Sequence, residues 1–537
     1  MNLKYKLSLK LKIKIIFFLL CCFISVQSIQ VKAQEKPNVV FILVDDLGYG
    51  DIGCYGATKL KTPNIDKLAS EGRMFTDAHS ASAVCSPSRY AIITGQYPYL
   101  AEGGKGVWGP LPVTSGLVID TNDLTVADIF KRKGYTTAAI GKWHLGFKTG
   151  TNDWQEPLSP GPQDLGFDYY FGLPVVSSAP PYVYVENDHI VGGEKSDPLI
   201  YLGKGHEDEV TPITPIPREA SKRNTNQFKG AVKAHKLFNP YKMGSVLTKK
   251  AVKWITENKR NPFFLYMATP LIHHPFTPGK KFQGSSQCGL YGDYIQELDW
   301  MVGELIKCLK KNDLEKNTLV IFTSDNGGMF NTGAQDAYKF GHRQNGDLLG
   351  FKFGVWEGGQ RIPFIAKWPG KIKEGTKSNQ LICLVDMLAS FAALTGQDLS
   401  TKELANSINI LPALLSDPDS MLRDELVIAP YRSSNFSLRK GKWIYIPAKG
   451  SGGFSGSKPG THTFSGPAAA TFTHHPNSDI ENGKIKKDAP PAQLYDLEND
   501  VNQTTNLYYQ YPEIVKEMDA ILETYIPKES RNSGRKR

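Results

Sequence analysis

Pro37-Asn38-Val39-Val40-Phe41-Ile42-Leu43-Val44-Asp45-Asp46-Leu47-Gly48 is the stretch that decides the fold. The apolar run Val39 to Val44 has the length of a strand. It is continuous rather than alternating, which marks a strand buried on both faces, as in a sheet with helices on either side. Asp45-Asp46-Leu47-Gly48 then falls at the carboxyl end of that strand, where open α/β sheets bind their ligands.

Similar runs recur at Thr136 to Ile140, Phe263 to Met267, Leu319 to Thr323 and Ile362 to Ala366. Helical patterns separate them, at Ser245 to Glu257, Gly292 to Lys311 and Ile382 to Leu394. The alternation predicts an α/β fold with a large, mostly parallel sheet flanked by helices. Asp45-Asp46, Lys142-Trp143-His144 and Ser324-Asp325-Asn326 each follow a strand run, so three separate regions point at one site. Residues 155 to 240, rich in Pro, Gly and Tyr, read as loop insertions that shape a cleft.

Beyond residue 411 the pattern shortens, to Leu426–Ala429, Asn435–Arg439, Lys442–Ile446 and Gln493–Leu497, and closes on an amphipathic helix. This predicts a smaller C-terminal α+β domain built on an antiparallel sheet, with the Gly/Ser/Pro-rich Lys449 to Pro467 as a mobile loop.

At the N-terminus, Lys4, Lys6, Lys10, Lys12 and Lys14 precede an apolar run from Ile15 to Val26 and then Val31-Lys32-Ala33. That order reads as a signal peptide over 1–33, followed by a catalytic domain over 34–410 and the C-terminal domain over 411–537. The run is too short for the roughly 30 Å of a bilayer core, so the expectation is export, periplasmic or secreted, with no stable membrane span. The leader holds six lysines and no acid, so six of the ten net positive charges belong to it and the basicity does not point to nucleic acid. The remaining cysteines, Cys54, Cys85, Cys288, Cys308 and Cys383, show no CxxC spacing, which argues against a zinc site or a disulfide framework.

Cys85-Ser86-Pro87-Ser88-Arg89 opens a short helical pattern. A helix N-terminus offers free amides and the positive end of the macrodipole to an anion, and Arg89 adds a permanent cation. Asp45, Asp46, Asp325 and Asn326 together offer hard oxygen donors without a nearby His or Cys set, which suits a calcium-type cation taking about six to eight oxygens.

Cys85-Ser86-Pro87-Ser88-Arg89 resembles the signature of the type I, formylglycine-dependent sulfatases, arylsulfatase-like members of the alkaline phosphatase superfamily. Strand-Asp45-Asp46-Leu47-Gly48, Ser324-Asp325-Asn326-Gly327-Gly328, Gly141-Lys142-Trp143-His144-Leu145-Gly146, His273-His274-Pro275 and Gly350-Phe351-Lys352 before Trp356-Glu357-Gly358-Gly359 are similar to further family segments. The resemblance runs from Pro37 to about residue 400, with weaker support at Leu494-Tyr495-Asp496-Leu497. Gln360 departs from the histidine or other polar residue of many relatives.

The resemblance implies that Cys85 is oxidised by a maturation enzyme to formylglycine (3-oxoalanine), the nucleophile. It implies a Ca2+ ion held by Asp45, Asp46, Asp325 and Asn326 together with the residue at Cys85. It further implies Lys142, Lys352 and His273 on the sulfate, Arg89 activating the nucleophile, His144 accepting its second proton, and His273 or Lys352 protonating the leaving alcohol. The alternatives within reach are a phosphomonoester or phosphonate-ester hydrolase of the same superfamily, and a catalytically idle sulfated-glycan-binding protein. Modest basicity, export and aromatics such as Trp108, Trp154 and the Tyr-rich insertion suit a sulfated carbohydrate. His206, His342 and Arg343 are weaker candidates for sugar contacts against a plain surface role.

Overall fold

Val39, Phe41 and Leu43 enter one buried apolar cluster and Val40, Ile42 and Val44 another, every one of them fully buried. The continuous apolar run is thus a strand between two helical layers. The computed structural model describes residues 36–101, 105–148, 154–201, 228–431, 435–454 and 458–526. Within them the main sheet has ten strands. These are β1 (Asn38–Val44), β2 (Arg73–Phe75), β3 (Thr136–Lys142), β4 (Tyr169–Leu173), β5 (Val185–Glu186), β6 (His189–Ile190), β7 (Phe263–Thr269), β8 (Thr318–Ser324), β9 (Phe364–Lys367) and β10 (Thr376–Ser378). Their spatial order is β10-β2-β9-β8-β1-β7-β3-β4-β5-β6.

The five central strands β8, β1, β7, β3 and β4 are parallel, with Val44 beside both Ser324 and Thr269. Their carboxyl ends therefore release Asp45, Lys142, Thr269 and Asp325 at one edge of the sheet. Helix α1 (Cys85–Thr94) lies entirely buried near that edge. Helices α2 (Met243–Asn258) and α3 (Gly289–Lys311) cover one face through Leu247, Trp254, Leu298 and Leu305. Beyond α4 (Thr332–Lys339), α5 (Met387–Leu394) helps cover the other through Leu388 and Phe391.

A second sheet of four antiparallel strands follows, β11 (Glu425–Ile428), β12 (Ser437–Lys440), β13 (Trp443–Ile446) and β14 (Gln493–Asp496). It is accompanied by α6 (Gly466–Phe472) and α7 (Pro512–Tyr525). Both architectural expectations, the mostly parallel large sheet and the smaller antiparallel one, hold. Pro37–Arg537 forms one compact unit. Leu426, Leu438 and Leu494 share an apolar cluster with Leu349, Val355 and Trp356, so the sheet is docked on the segment that leads from Lys352.

Local details refine or correct these expectations. β9 runs antiparallel to β8, because the segment between them stays at the site edge to deliver Lys352 and re-enters the sheet from that side. Ile382-Cys383 begins no helix; it pairs with Ala78-His79, and α5 starts at Met387. Trp154, Tyr182 and Tyr184 are core residues, 3%, 3% and 4% exposed, so their rings are not available for stacking on sugar. The Lys449 to Pro467 stretch is anchored at both ends, where Val355 N–H donates to the Ser451 carbonyl at 2.9 Å and Phe464 and Ser465 are buried, while Lys458 to Thr461 are exposed.

The proposed leader, residues 1–33, lies outside the described residues. Among the described ones no helix is long and apolar enough to cross a membrane.

Candidate active site

The geometry begins with the turn after β1. Asp46 has φ 66°, a left-handed conformation that breaks the strand alternation and lets adjacent carboxylates face one site. Ser324 Oγ accepts the Leu47 N–H at 3.0 Å, and Asp51 Oδ2 accepts the Gly48 N–H at 2.7 Å, fixing the turn from both sides. Asp45 and Asp325 are completely buried, and Asp46 is 2% exposed.

Buried carboxylates need partners, and three cations supply them. Lys142 Nζ donates to both Asp45 oxygens, at 2.9 and 2.8 Å. Arg89 donates through Nε at 2.9 Å and pairs through Nη2 at 2.8 Å with Asp325 Oδ2, while its Nη1 donates to the Lys142 carbonyl at 2.9 Å. Lys352 Nζ bonds Asp46 Oδ1. Burial pushes the Asp325 carboxyl up, with Asp45 adding to it, whereas Asp46 and Cys85 hold the Lys352 ammonium above the usual lysine range despite its burial.

Cys85 is the first residue of α1, where Val84 makes no side-chain cap, so the first-turn amides stay available. Arg89, four residues on, shares its helix face. Cys85 Sγ lies 3.5 Å from His144 Nδ1 and 3.8 Å from Lys352 Nζ. His144 Nε2 meets the Leu111 carbonyl at 3.0 Å, which requires the proton on Nε2 and leaves the Nδ1 lone pair facing Cys85. Burial, then Lys142 and Arg89, hold His144 well below the ordinary imidazole pKa, so it waits as a neutral base. His144→Ala is expected to slow turnover about 10²- to 10⁴-fold with little loss of stability. Near-wild-type kcat in that variant removes His144 from the chemistry.

His273 Nδ1 donates to the His274 carbonyl at 2.7 Å, which leaves Nε2 facing Asp46 Oδ2 at 3.9 Å. Burial, His274 and Lys352 lower its pKa well below the usual value.

Asp45, Cys85 and Asp325 bring ligand atoms within 4.8 Å of one another. Beside them two buried oxygens, Asp46 Oδ2 and Asn326 Oδ1, have no hydrogen-bond partner. Unsatisfied buried oxygens are costly. A hard cation would satisfy them, and the carboxylates and amide present are donors of the kind such a cation takes.

The site thus gathers Asp45, Asp46, Cys85, Arg89, Lys142, His144, His273, Asp325, Asn326 and Lys352, all expected from sequence. His342 is not at the surface: it is 3% exposed and bonds Asp51 Oδ1 at 2.8 Å. Arg343 lines a separate cavity of about 530 Å³ with Tyr49, His342 and Asn502, and pairs with Asp347 at 3.9 Å. His206 lies outside the described residues. Gln360 has a structural place, bonding His79 and donating to Glu357 Oε1 at 2.8 Å. Sequence reasoning missed Asp51 and Asn345. The Asn345 amide accepts from Gly328 N–H and donates to the Gly350 carbonyl, both at 3.0 Å, joining the Asn326 loop to the Lys352 loop. No local signal marks either residue.

A buried cysteine flanked by a neutral imidazole, four further cationic or imidazole groups and a cluster of buried acidic oxygens suits chemistry on small oxyanion esters. The family model described as Sulfatase matches residues 37–397. The chain is 36% identical over 507 residues to N-acetylgalactosamine-6-O-sulfatase of Bacteroides thetaiotaomicron, covering 91% of this chain and 93% of that protein. It is 32% identical over 417 residues to Arylsulfatase H of Canis lupus familiaris, covering 71% and 73%. A solved structure from a study of glycosaminoglycan metabolism by Bacteroides thetaiotaomicron superposes with a TM-score of 0.78 at 34% identity, covering 92% of this chain and 99% of that one. The chain belongs to the sulfatase family, and it is a sulfuric ester hydrolase.

Proposed function

We propose that this chain is an exported, formylglycine- and calcium-dependent sulfatase that removes the 6-O-sulfate of N-acetylgalactosamine units in sulfated glycans. The observation that carries the reaction is the placement of Cys85 between the His144 Nδ1 lone pair and Lys352, beside two orphaned buried oxygens. The substrate reading rests on the relatives, several of which are named N-acetylgalactosamine-6-sulfatases.

Oxidised by a maturation enzyme to formylglycine and hydrated, Cys85 supplies two hydroxyls on one carbon, one to attack sulfur and one whose deprotonation releases sulfate. Asp45, Asp46, Asp325 and Asn326 would hold the calcium ion, which would supply positive charge to offset that of the sulfate ester. Lys142 and Lys352 orient the sulfate and carry the developing charge in a site shut off from water, where such charges act strongly. Arg89 holds Asp325 and favours the ionised form of the attacking hydroxyl. His144 takes the second proton at Nδ1.

His273 is the proton donor to the leaving alcohol. Its Nδ1 is held by the His274 carbonyl at 2.7 Å, so Nε2 is the atom that takes up a proton at the site and passes it to the alcohol.

The test compares wild type and His273→Ala on 6-O-sulfated N-acetylgalactosamine, 4-nitrophenyl sulfate and 4-nitrophenyl phosphate. Wild type is expected to prefer both sulfates to the phosphate. The variant is expected to lose about 10²-fold or more on the sugar and much less on the nitrophenyl ester, whose leaving group needs no proton. Faster phosphate hydrolysis would replace this reading with that of a phosphoesterase; equal losses on both sulfates would take the acid role from His273.

A further inference from the structure

Phe353, Tyr431 and Phe454 come from three distant segments and meet beside the nucleophile. Their ring centroids lie 5.2, 4.6 and 5.1 Å apart pairwise. Together with Val84 and Met329 they form the one small apolar cluster that contains Cys85. Phe353 is 7% exposed, while Tyr431 and Phe454 are only half-buried, so the cluster leads from the sulfur outward and keeps apolar ring surface open.

Two features show that this arrangement is held against resistance. Phe353 has φ 77°, a left-handed conformation that is costly for a bulky side chain and persists where the surroundings enforce it. Here its N–H donates to the Ala83 carbonyl at 2.8 Å, just ahead of Cys85. The segment carrying Phe454 is clamped as well. A Cβ on Gly453 would stand 3.0 Å from the Phe353 carbonyl group, and Ser465 Oγ donates to the Phe454 carbonyl at 2.9 Å. Further along, the Gln335 amide bonds Thr461 O at 3.0 Å and Gly460 N–H at 2.7 Å. Tyr431 packs on Gly109, where a Cβ would meet its ring at 3.2 Å, two residues before the carbonyl that sets the His144 tautomer.

Half-open aromatic rings next to a polar reaction centre bind a partner with one apolar face and one polar edge. A galacto-configured pyranose has that form, since its C3, C4 and C5 hydrogens lie on one side. We propose that Phe353, Tyr431 and Phe454 are the specificity-determining wall against which the ring of the leaving alcohol rests. This assignment rests on the glycan-sulfatase reading above. Phe454 and Tyr431 act on the alcohol portion of the substrate, whereas the charged residues act on sulfate.

The experiment measures KM and kcat for 6-O-sulfated N-acetylgalactosamine, and the inhibition constant of inorganic sulfate, in Phe454→Ala, Phe454→Leu and Tyr431→Ala. Inorganic sulfate reports the charged pocket and has no ring. The expected result is a KM raised roughly 10-fold or more in each alanine variant, with sulfate inhibition within about twofold of wild type and Phe454→Leu between the two. Unchanged KM, or KM and the sulfate constant rising together, overturns the wall. If wild type hydrolyses 4-nitrophenyl sulfate but no sulfated sugar, the glycan reading fails, and the same comparison made with the flat nitrophenyl ester still decides the wall.

Discussion

Cys85→Ala is expected to abolish sulfate-ester hydrolysis, lowering kcat on the order of 10⁴-fold or more. Residues that act as a unit lose nearly all their joint effect when the nucleophile goes, leaving only binding and electrostatic stabilisation. His144 Nδ1 and Lys352 Nζ both reach this one position, at 3.5 and 3.8 Å from Cys85 Sγ. The fold is expected to survive, because the change removes a single atom from a small apolar cluster at a cost of about 1 kcal/mol. The companion measurement is peptide mass spectrometry across Cys85 in active protein. Formylglycine is the expected species; fully active protein carrying an unmodified thiol would sink the mechanism.

The second large effect is on stability. Arg89 is completely buried, and its guanidinium neutralises Asp325 and reaches toward Asp45 at 3.8 Å. In calcium-free buffer Arg89→Ala strips the buried Asp325 carboxylate of its paired cation, a change that costs about 3–5 kcal/mol. The variant is expected to show a lower denaturant midpoint as well as loss of activity. Arg89→Lys is expected to recover little, since a single ammonium cannot match the fork that binds Asp325 Oδ2 through two nitrogens and the Lys142 carbonyl through a third. Wild-type stability in both variants would mean that Asp325 is neutralised by other means.

The two predictions differ in how far the sequence alone supported them. That Cys85 and Arg89 share one face at the start of a helix was legible in Cys85-Ser86-Pro87-Ser88-Arg89, because a helix start and a spacing of four are local properties of the chain. The buried ion pairing that makes Arg89 costly to remove was not visible, since its partner Asp325 is 236 residues away. Trp154, Tyr182 and Tyr184, aromatic residues of a kind that stacks on sugar, are core, whereas Phe353 and Phe454 share the apolar cluster of Cys85. An aromatic ring buries or binds according to what packs over it, and composition carries no record of that.

Local pattern alone specifies the central strands, the strand-end positions of the acidic and basic residues, and the cysteine at a helix start. Each depends on periodicity and on neighbours a few residues apart. Only the tertiary structure decided that β9 enters antiparallel, that His342 is a buried partner of Asp51, that Asn345 ties two site loops together, and that a Gly-rich stretch is clamped against Phe353. Those outcomes depend on contacts between segments far apart in the chain, where burial and the need to satisfy each polar group select one arrangement from many that the local pattern permits.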